Sequence, residues 1–119
     1  MHELSIMASV VETVTESLTG YPGARVLAVH LKVGALASVV EESLEFCYGI
    51  ATEATPLAGS RLVVHRLPVV LHCPGCNLDS ELDGVQSFRC PRCGAPSHEL
   101  RQGRELEIDS VEIDEEEKP

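Results

Sequence analysis

The sequence predicts an α+β protein in which two helices pack on a small three-stranded mixed sheet, with an inserted cysteine module. Two observations predict this class. Apolar residues recur at helical spacing in two segments and alternate with polar residues in others. In addition, four cysteines form two matched pairs within a turn-rich segment. The predicted order is therefore helix, strand, helix, strand, module, strand.

The first predicted helix covers residues 4–18, where apolar residues recur every three or four positions and Glu12 and Glu16 face outward. Its inward positions are Leu4, Ala8, Val11, Val14 or Thr15, and Leu18. Glycine and proline in residues 20–23 end it. Residues 25–33 then alternate with a period of two, which predicts a half-buried strand. Its inner face consists of Leu27, Val29, Leu31 and Val33.

A capping box formed by Ser38 and Glu41 predicts the start of the second helix, which continues to about Ala51. Its inward positions are Val40, Leu44, Cys47, Tyr48 and Ala51. Residues 60–67 form the second predicted strand, and residues 104–113 form the third. In the third strand the apolar phase slips, which is typical of a bulge or of an edge strand.

The two cysteine pairs are Cys73-Pro-Gly-Cys76 and Cys90-Pro-Arg-Cys93, with thirteen residues between them. A two-residue gap lets a tight turn direct both sulfurs at one point. Two such turns supply the four thiolates of a tetrahedral structural zinc site. Iron in a rubredoxin-like site uses similar turns, so sulfur ligation leaves the ion open. The spacing predicts a zinc-ribbon-like module with a closed ligand shell.

The domain boundaries follow from these elements. Residues 1–69 and 101–113 form the α/β domain, and residues 70–100 form the metal module, in which Asn77, Asp83-Gly84 and Gly94 are turn residues. Residues 114–119 form an acidic tail that we expect to be disordered. A module of this size buries too little surface to fold alone, so the metal supplies stability.

Composition excludes several classes of function. The chain has 119 residues and a net charge of −10, and eight of its acidic residues lie in residues 105–119. A basic surface for nucleic acid is absent from this composition. We expect no signal peptide and no membrane span. Cysteine pairs in a chain without an export signal indicate a reducing cytoplasm.

The remaining cysteine and histidines have ordinary interpretations. Cys47 fits a small buried hydrophobic residue on the second helix. His72 and His98 flank the cysteine pairs, so either replaces a thiolate, tunes the zinc site, or is a local surface residue. His30 and His65 fall within predicted strands and are structural or solvent-facing.

His2 has an unusual chemical position beside the amino terminus. The α-amino group of Met1, the backbone nitrogens of His2 and Glu3, and the His2 imidazole can close adjacent chelate rings. Such nitrogen-rich coordination suits Ni(II) or Cu(II). A helix amino terminus opposes a cation, but deprotonated amides and the Glu3 carboxylate offset this cost. A frayed terminus is the alternative interpretation.

Several segments, taken in order, carry a family resemblance that covers nearly the whole chain except the acidic tail. They are Met1-His2-Glu3-Leu4-Ser5, Val33-Gly34-Ala35-Leu36, Glu42-Ser43-Leu44-Glu45-Phe46, the two cysteine pairs, and Gly103-Arg104-Glu105-Leu106. Together they resemble the HypA/HybF family of hydrogenase nickel-insertion proteins. Where many relatives carry an acidic residue and a proline at the start of the second helix, this chain has Val40 and Glu41.

The resemblance implies a non-enzymatic nickel metallochaperone for [NiFe]-hydrogenase maturation. It implies that His2 binds Ni(II), supported by Glu3 and the Met1 amine, with Glu41 or Glu42 as a stand-in ligand. It also implies structural Zn(II) on the four cysteines. The implied partners are a HypB-type GTPase and the hydrogenase large-subunit precursor, with no nucleic acid and no membrane. Homodimer formation and a supply of nickel to urease are left open.

Two other functions fit the cysteine module. A zinc-ribbon interaction adaptor would keep its function when His2 is replaced. A rubredoxin-like electron carrier would bind iron, would be red and would show a reversible redox couple. An enzyme is disfavoured because the sequence offers no nucleophile–base pair and no open catalytic metal site.

Overall fold

Helices and strands follow one another in nearly the predicted order in the computed structural model, which describes residues 2–84 and 87–115. The helices are α1 (His2–Ser17) and α2 (Glu41–Thr52), with a 3₁₀ turn at Leu18–Gly20. The strands are β1 (Ala24–Gly34), β2 (Arg61–Leu67), β3 (Val70–Cys73), β4 (Leu78–Glu81), β5 (Glu99–Gln102) and β6 (Leu106–Glu115). The predicted α+β class is confirmed.

The strands form two small sheets. The first has the order β2-β1-β6, so that β6 occupies an edge, which is one of the two arrangements that its slipped apolar phase indicated. The second has the order β4-β3-β5 and is antiparallel at both pairings. This second sheet was not predicted, because its strands are only four residues long and lie among turn residues. β6 includes Asp114 and Glu115, the first residues of the predicted tail, while residues 116–119 lie outside the described part.

Contacts divide the chain into two units. One holds α1, α2 and the chain from Ile108 on; the other consists of Lys32–Ser38 and His65–Glu107 and carries the four paired cysteines. The boundaries predicted at residues 69–70 and 100–101 remain predictions. In the part of the chain that the structure describes, no helix is long and apolar enough to cross a membrane.

The two helices pack against each other in the first unit. The buried residues of α1 are Met7, Val10, Val11 and Val14. Val11, Val14 and the outward Glu12 and Glu16 agree with the prediction, but Leu4 and Ala8 are exposed. Two apolar stripes with the same spacing compete in this helix. Packing against α2 buries the stripe with the larger side chains, because a larger apolar side chain gains more free energy when it is removed from water.

α2 begins without the predicted capping box. The residue before its first turn is Val40, and no side chain of the segment itself caps the helix. Instead, the Val40 backbone N–H donates to Oε2 of Glu3, on α1, at 3.2 Å. The Val40 carbonyl accepts the first helical hydrogen bond, from Leu44. Glu3 therefore joins the first turn of α1 to the start of α2.

The inward face of α2 also differs in part from the prediction. Leu44 and Tyr48 are buried as predicted, and Thr52 is buried with them. Val40 is 56% exposed, because it precedes the helix instead of lying on its inner stripe. Cys47 and Ala51 are half-buried, so Cys47 is not the fully buried residue that was predicted.

β1 is covered on both faces at its centre. Val29, Leu31 and Val33 are buried as predicted, but Leu27 is 41% exposed and its neighbours Val26 and Ala28 are buried. Adjacent residues of a strand point to opposite faces. Because Ala28 and Val29 are both buried, a simple alternation of inner and outer residues cannot describe the whole strand.

Two backbone segments of the second unit approach each other closely at Gly34. A Cβ atom at this position would lie 2.2 Å from the backbone carbon and oxygen of Gly103. The Gly34 N–H donates to the Glu105 carbonyl at 2.8 Å, and the Leu36 N–H donates to the Gly103 carbonyl at 2.7 Å. Gly103 itself has a φ of 137°, which favours glycine. Glycine at position 34 is therefore required sterically.

Replacing Gly34 by alanine should lower the free energy of unfolding by about 1–3 kcal/mol, because the new methyl group meets backbone atoms that cannot move aside cheaply. Gly49→Ala is the matched control. Gly49 lies in α2 with open space around its Cβ position, so alanine there should stabilise the protein by about 0.5–1 kcal/mol. Urea unfolding of the zinc-loaded protein measures both. Equal stability of the two variants would contradict the steric account.

Candidate metal centre

The four predicted cysteines come together in the second unit. Their sulfur atoms all lie within 4.8 Å of one another. Cys73 is the last residue of β3, and Cys76 lies in the turn that leads to β4. Cys90 and Cys93 lie in the second turn, before β5. Cys73 and Cys90 are buried, Cys76 is half-buried and Cys93 is exposed, so the cluster lies at the edge of the module.

The spacing of the sulfur atoms fits a tetrahedral ion. The Sγ atoms of Cys73 and Cys93 are 3.7 Å apart, and those of Cys76 and Cys90 are 3.9 Å apart. A tetrahedron with Zn–S bonds of about 2.3 Å requires a sulfur–sulfur distance of about 3.8 Å. Disulfide bonds are excluded by these distances, since bonded sulfurs lie about 2.05 Å apart. The donor set therefore fits a single metal ion held by four thiolates.

Both cysteine turns have the same backbone design. The Asn77 N–H donates to the Cys73 carbonyl at 2.6 Å, and the Gly94 N–H donates to the Cys90 carbonyl at 2.8 Å. Asn77 and Gly94 both have positive φ, 56° and 79°, as suits their predicted role as turn residues. In each turn a backbone N–H also points at the first sulfur, from Cys76 to Cys73 and from Arg92 to Cys90, at 3.4 Å.

The thiols of the cluster differ in acidity. The backbone N–H groups of Cys93 and Arg92 favour the thiolate of Cys90 and lower its pKa to about 6. Hydrogen bonding with the sulfurs of Cys93 and Cys90 holds the proton on Cys76 and raises its pKa to about 12. Four thiolates thus do not coexist without a cation. A bound metal must displace protons, so its affinity falls with acid.

The two predicted histidine candidates lie outside the sulfur cluster. Nδ1 of His72 is 2.7 Å from a carboxylate oxygen of Asp79, and Nε of Arg101 is 3.5 Å from the same oxygen. The hydrogen bond from His72 lowers the pKa of Asp79. His98 is exposed. Neither histidine therefore replaces a thiolate in the sulfur cluster.

Asp79 and Ser97 were not identified from the sequence. Asp79 lies opposite His72 in the β3–β4 pairing, a register that the cysteine turn sets and that an analysis of the turn could have found. Ser97 is buried, and its Oγ donates to the His72 carbonyl at 2.6 Å and accepts the Glu99 N–H at 3.2 Å. Ser97 thus links the segment after the second cysteine turn to β3, and no local sequence pattern identifies this role.

The predicted nickel residues are only partly described. Met1 lies outside the described residues, and His2 is described only as the first backbone residue of α1. Glu3 is half-buried and bonds to Val40, as stated above. Glu41 and Glu42 form the first turn of α2, next to Val40. The carboxylates considered for nickel thus belong to the two helix starts that Glu3 joins.

Replacing Cys76 by alanine should abolish stoichiometric zinc binding and loosen the module, because three thiolates leave the tetrahedral shell open. Metal analysis and limited proteolysis of residues 70–100 measure the two effects. Cys47→Ala is the matched control and should retain one zinc ion, since Cys47 lies on α2 in the other unit. Full zinc content in the Cys76 variant would show that the ligand set is wrong.

Comparison with known proteins places the chain in a family. The family model described as "Hydrogenase/urease nickel incorporation, metallochaperone, hypA" matches residues 1–113. The hydrogenase maturation factor HypA of Chloroflexus aurantiacus is 45% identical over 112 residues, which are 94% of this chain and 98% of the relative. That of Desulfosudis oleivorans is 40% identical over 116 residues, 97% of this chain and 100% of the relative.

Solved structures support the same fold. The solution structure of the Ni metallochaperone HypA from Helicobacter pylori has a TM-score of 0.66 at 17% identity and covers 93% of this chain and 96% of its own. A second solution structure of a HypA protein has a TM-score of 0.74 at 19% identity and covers 98% of both chains. The family resemblance predicted from the sequence is confirmed, and the chain belongs to the HypA family of metallochaperones, which are maturation factors and not enzymes.

Proposed function

We propose that this protein carries Ni(II) at its amino terminus and delivers it to the large-subunit precursor of a [NiFe]-hydrogenase. The match of the family model to residues 1–113, together with the Met1-His2-Glu3 start, carries the proposal. The Met1 amine, the His2 imidazole and backbone nitrogens form the chelate, and Glu3 supports it. Neutral imidazole and deprotonated amide nitrogens suit Ni(II).

The bond between Glu3 and Val40 supports this location for the cargo site. It holds the first turn of α1 beside the start of α2, where Glu41 and Glu42 contribute two further carboxylates. Two helix amino termini meet there, and their dipoles oppose a cation. The three carboxylates offset that field. One of Glu41 and Glu42 completes the nickel shell in place of the acidic residue that many relatives carry there.

Zinc has a different task in this proposal. The four cysteines hold Zn(II) as a structural ion in a closed shell, so that it does not exchange with the cargo. The terminal site, in contrast, is built from groups at the end of the chain, which incoming ligands can displace one at a time. One site therefore retains its metal and the other releases it.

The setting and partners follow from this role. None of the five cysteines forms a disulfide bond, which suits a reducing compartment, and we place the protein in the cytoplasm. A HypB-type GTPase assists nickel transfer, and the hydrogenase precursor receives the ion. The rival function, a zinc-ribbon adaptor without nickel, differs in one respect that can be tested: it does not depend on His2.

Replacing His2 by glutamine should weaken Ni(II) binding by about 100-fold or more, since removing even a residue that only supports a metal ligand costs 10–100-fold. A Ni(II) titration of untagged, zinc-loaded protein measures this effect. His98→Gln is the matched control, because it removes an exposed imidazole of the other unit. Zinc content and helicity should be unchanged in both variants.

Two outcomes would count against the terminal site. Unchanged nickel affinity in the His2 variant would remove the imidazole from the ligand set. Extending the chain ahead of Met1 should also weaken binding, because it converts the amine into an amide. If the extended protein binds nickel as tightly as the native one, the imidazole and Glu3 carry the affinity without the amine.

A further inference from the structure

An apolar ridge runs along the exposed face of α2. Phe46, one of only two phenylalanines in the chain, is 71% exposed, and Ile50 is 45% exposed. These residues are four positions apart, so their side chains are neighbours on one face of the helix. A single exposed apolar residue needs no explanation. Two adjacent ones on a helix that has a well-formed buried face form a candidate contact surface.

The helix cannot turn to bury this ridge. Leu44, Tyr48 and Thr52 anchor its opposite face and are all buried. The Tyr48 hydroxyl also lies 2.6 Å from the hydroxyl of Ser60, which is outside the helix. Because these contacts fix the helix about its axis, Phe46 and Ile50 are presented to solvent in a set orientation.

Gly49 opens space beside Phe46. It lies in the interior of α2, where glycine costs about 0.5–1 kcal/mol relative to alanine. Apart from its two chain neighbours and the nearby backbone of α2 itself, no described atom lies within 4 Å of the position where its Cβ would be. Neither a close contact with another segment nor a positive φ therefore requires glycine here. The resulting notch adjoins Phe46, three residues away. A notch next to an exposed aromatic side chain allows the backbone of another protein to approach.

The acidic residues around the ridge indicate which class of partner can bind there. Glu42, Glu45 and Glu53 are exposed on or next to α2, and α2 contains no lysine or arginine. Such a surface favours a basic partner and repels nucleic acid and anionic lipid. A second copy of this chain, with its net charge of −10, is disfavoured as well. The surface therefore fits a protein segment that combines apolar side chains with lysine or arginine.

The ridge lies near the proposed cargo site. Phe46 follows Val40 by six residues, which corresponds to about 9 Å along a helix axis. The Val40 N–H is bonded to Glu3, next to His2 in the chain. A partner docked on Phe46 would thus lie on the helix whose start is bonded to Glu3, the residue that follows His2 in the chain.

We propose that Phe46, Gly49 and Ile50 form a docking surface for a basic, apolar segment of the protein that receives the nickel ion. Phe46 enters an apolar recess of the partner, the notch at Gly49 accommodates the partner's backbone, and the glutamates pair with its basic residues. This inference rests on the proposed function, under which the receiver is the hydrogenase large-subunit precursor.

The proposal is tested by measuring how tightly the purified precursor binds the nickel- and zinc-loaded protein. Bio-layer interferometry at low and at high salt measures this affinity. Phe46→Gln and Gly49→Gln should each weaken binding by about 10-fold or more, as expected for residues at the centre of an interface. Phe88→Gln, which changes the other phenylalanine in the other unit, should have no effect. Glutamine at position 49 should also stabilise α2, so that lost binding there cannot arise from unfolding.

Several outcomes would overturn the docking surface. The first is equal binding of the precursor by all variants, and the second is failure of the native protein to bind the precursor. The third is precursor binding that does not change with salt. The fourth is a pair of variants that lose binding to the HypB-type GTPase but keep binding to the precursor. Nickel titration of the same variants separates this proposal from the proposed function. If Phe46→Gln and Gly49→Gln keep native nickel affinity while all proteins bind the precursor equally, the docking surface fails and the cargo site stands.

Discussion

The close approach of four cysteine sulfur atoms is the constraint on which the metal module depends. The cysteine turns bring four sulfur atoms within 4.8 Å of one another, and backbone N–H groups already favour the thiolate at Cys90. Further ionisation concentrates negative charge that only a cation can neutralise. The strands around the cluster are only four residues long, so we expect a bound metal ion to add stability to the module. Metal binding should therefore be coupled to the stability of this module.

The same chemistry that makes the cysteine site stable makes it unsuitable for cargo. A shell closed by four protein ligands offers no open position through which a second protein could take the ion. A carrier needs a site whose ligands are lost in steps, which is why the proposed cargo site lies at the amino terminus. The Glu3–Val40 bond then gains importance, because it joins the residue that follows His2 to the start of α2. The Phe46 ridge on the same helix would bring the receiver to that end.

Local patterns in the sequence predicted the elements and the cysteine cluster, because periodicity and ligand spacing are properties of short segments. Features set by distant residues were missed. The residue before α2, Val40, donates its N–H to Glu3, which lies 37 residues away, so no pattern around Ser38 could reveal this bond. α1 offers two overlapping apolar stripes, and the folded structure, in which α1 packs on α2, buries Met7 and leaves Leu4 exposed. In the second sheet, a cysteine turn brings two strands into pairing. Each of these strands is too short to be predicted from its own sequence.

The central claim is that the two metals occupy separate sites of different chemistry. X-ray absorption at the nickel and zinc edges of protein loaded with one equivalent of each ion tests it directly. The account predicts four sulfur neighbours around zinc at about 2.3 Å. It predicts only nitrogen and oxygen neighbours around nickel, with loss of that spectrum in the His2→Gln variant. Sulfur in the nickel shell, or displacement of zinc by nickel, would contradict it.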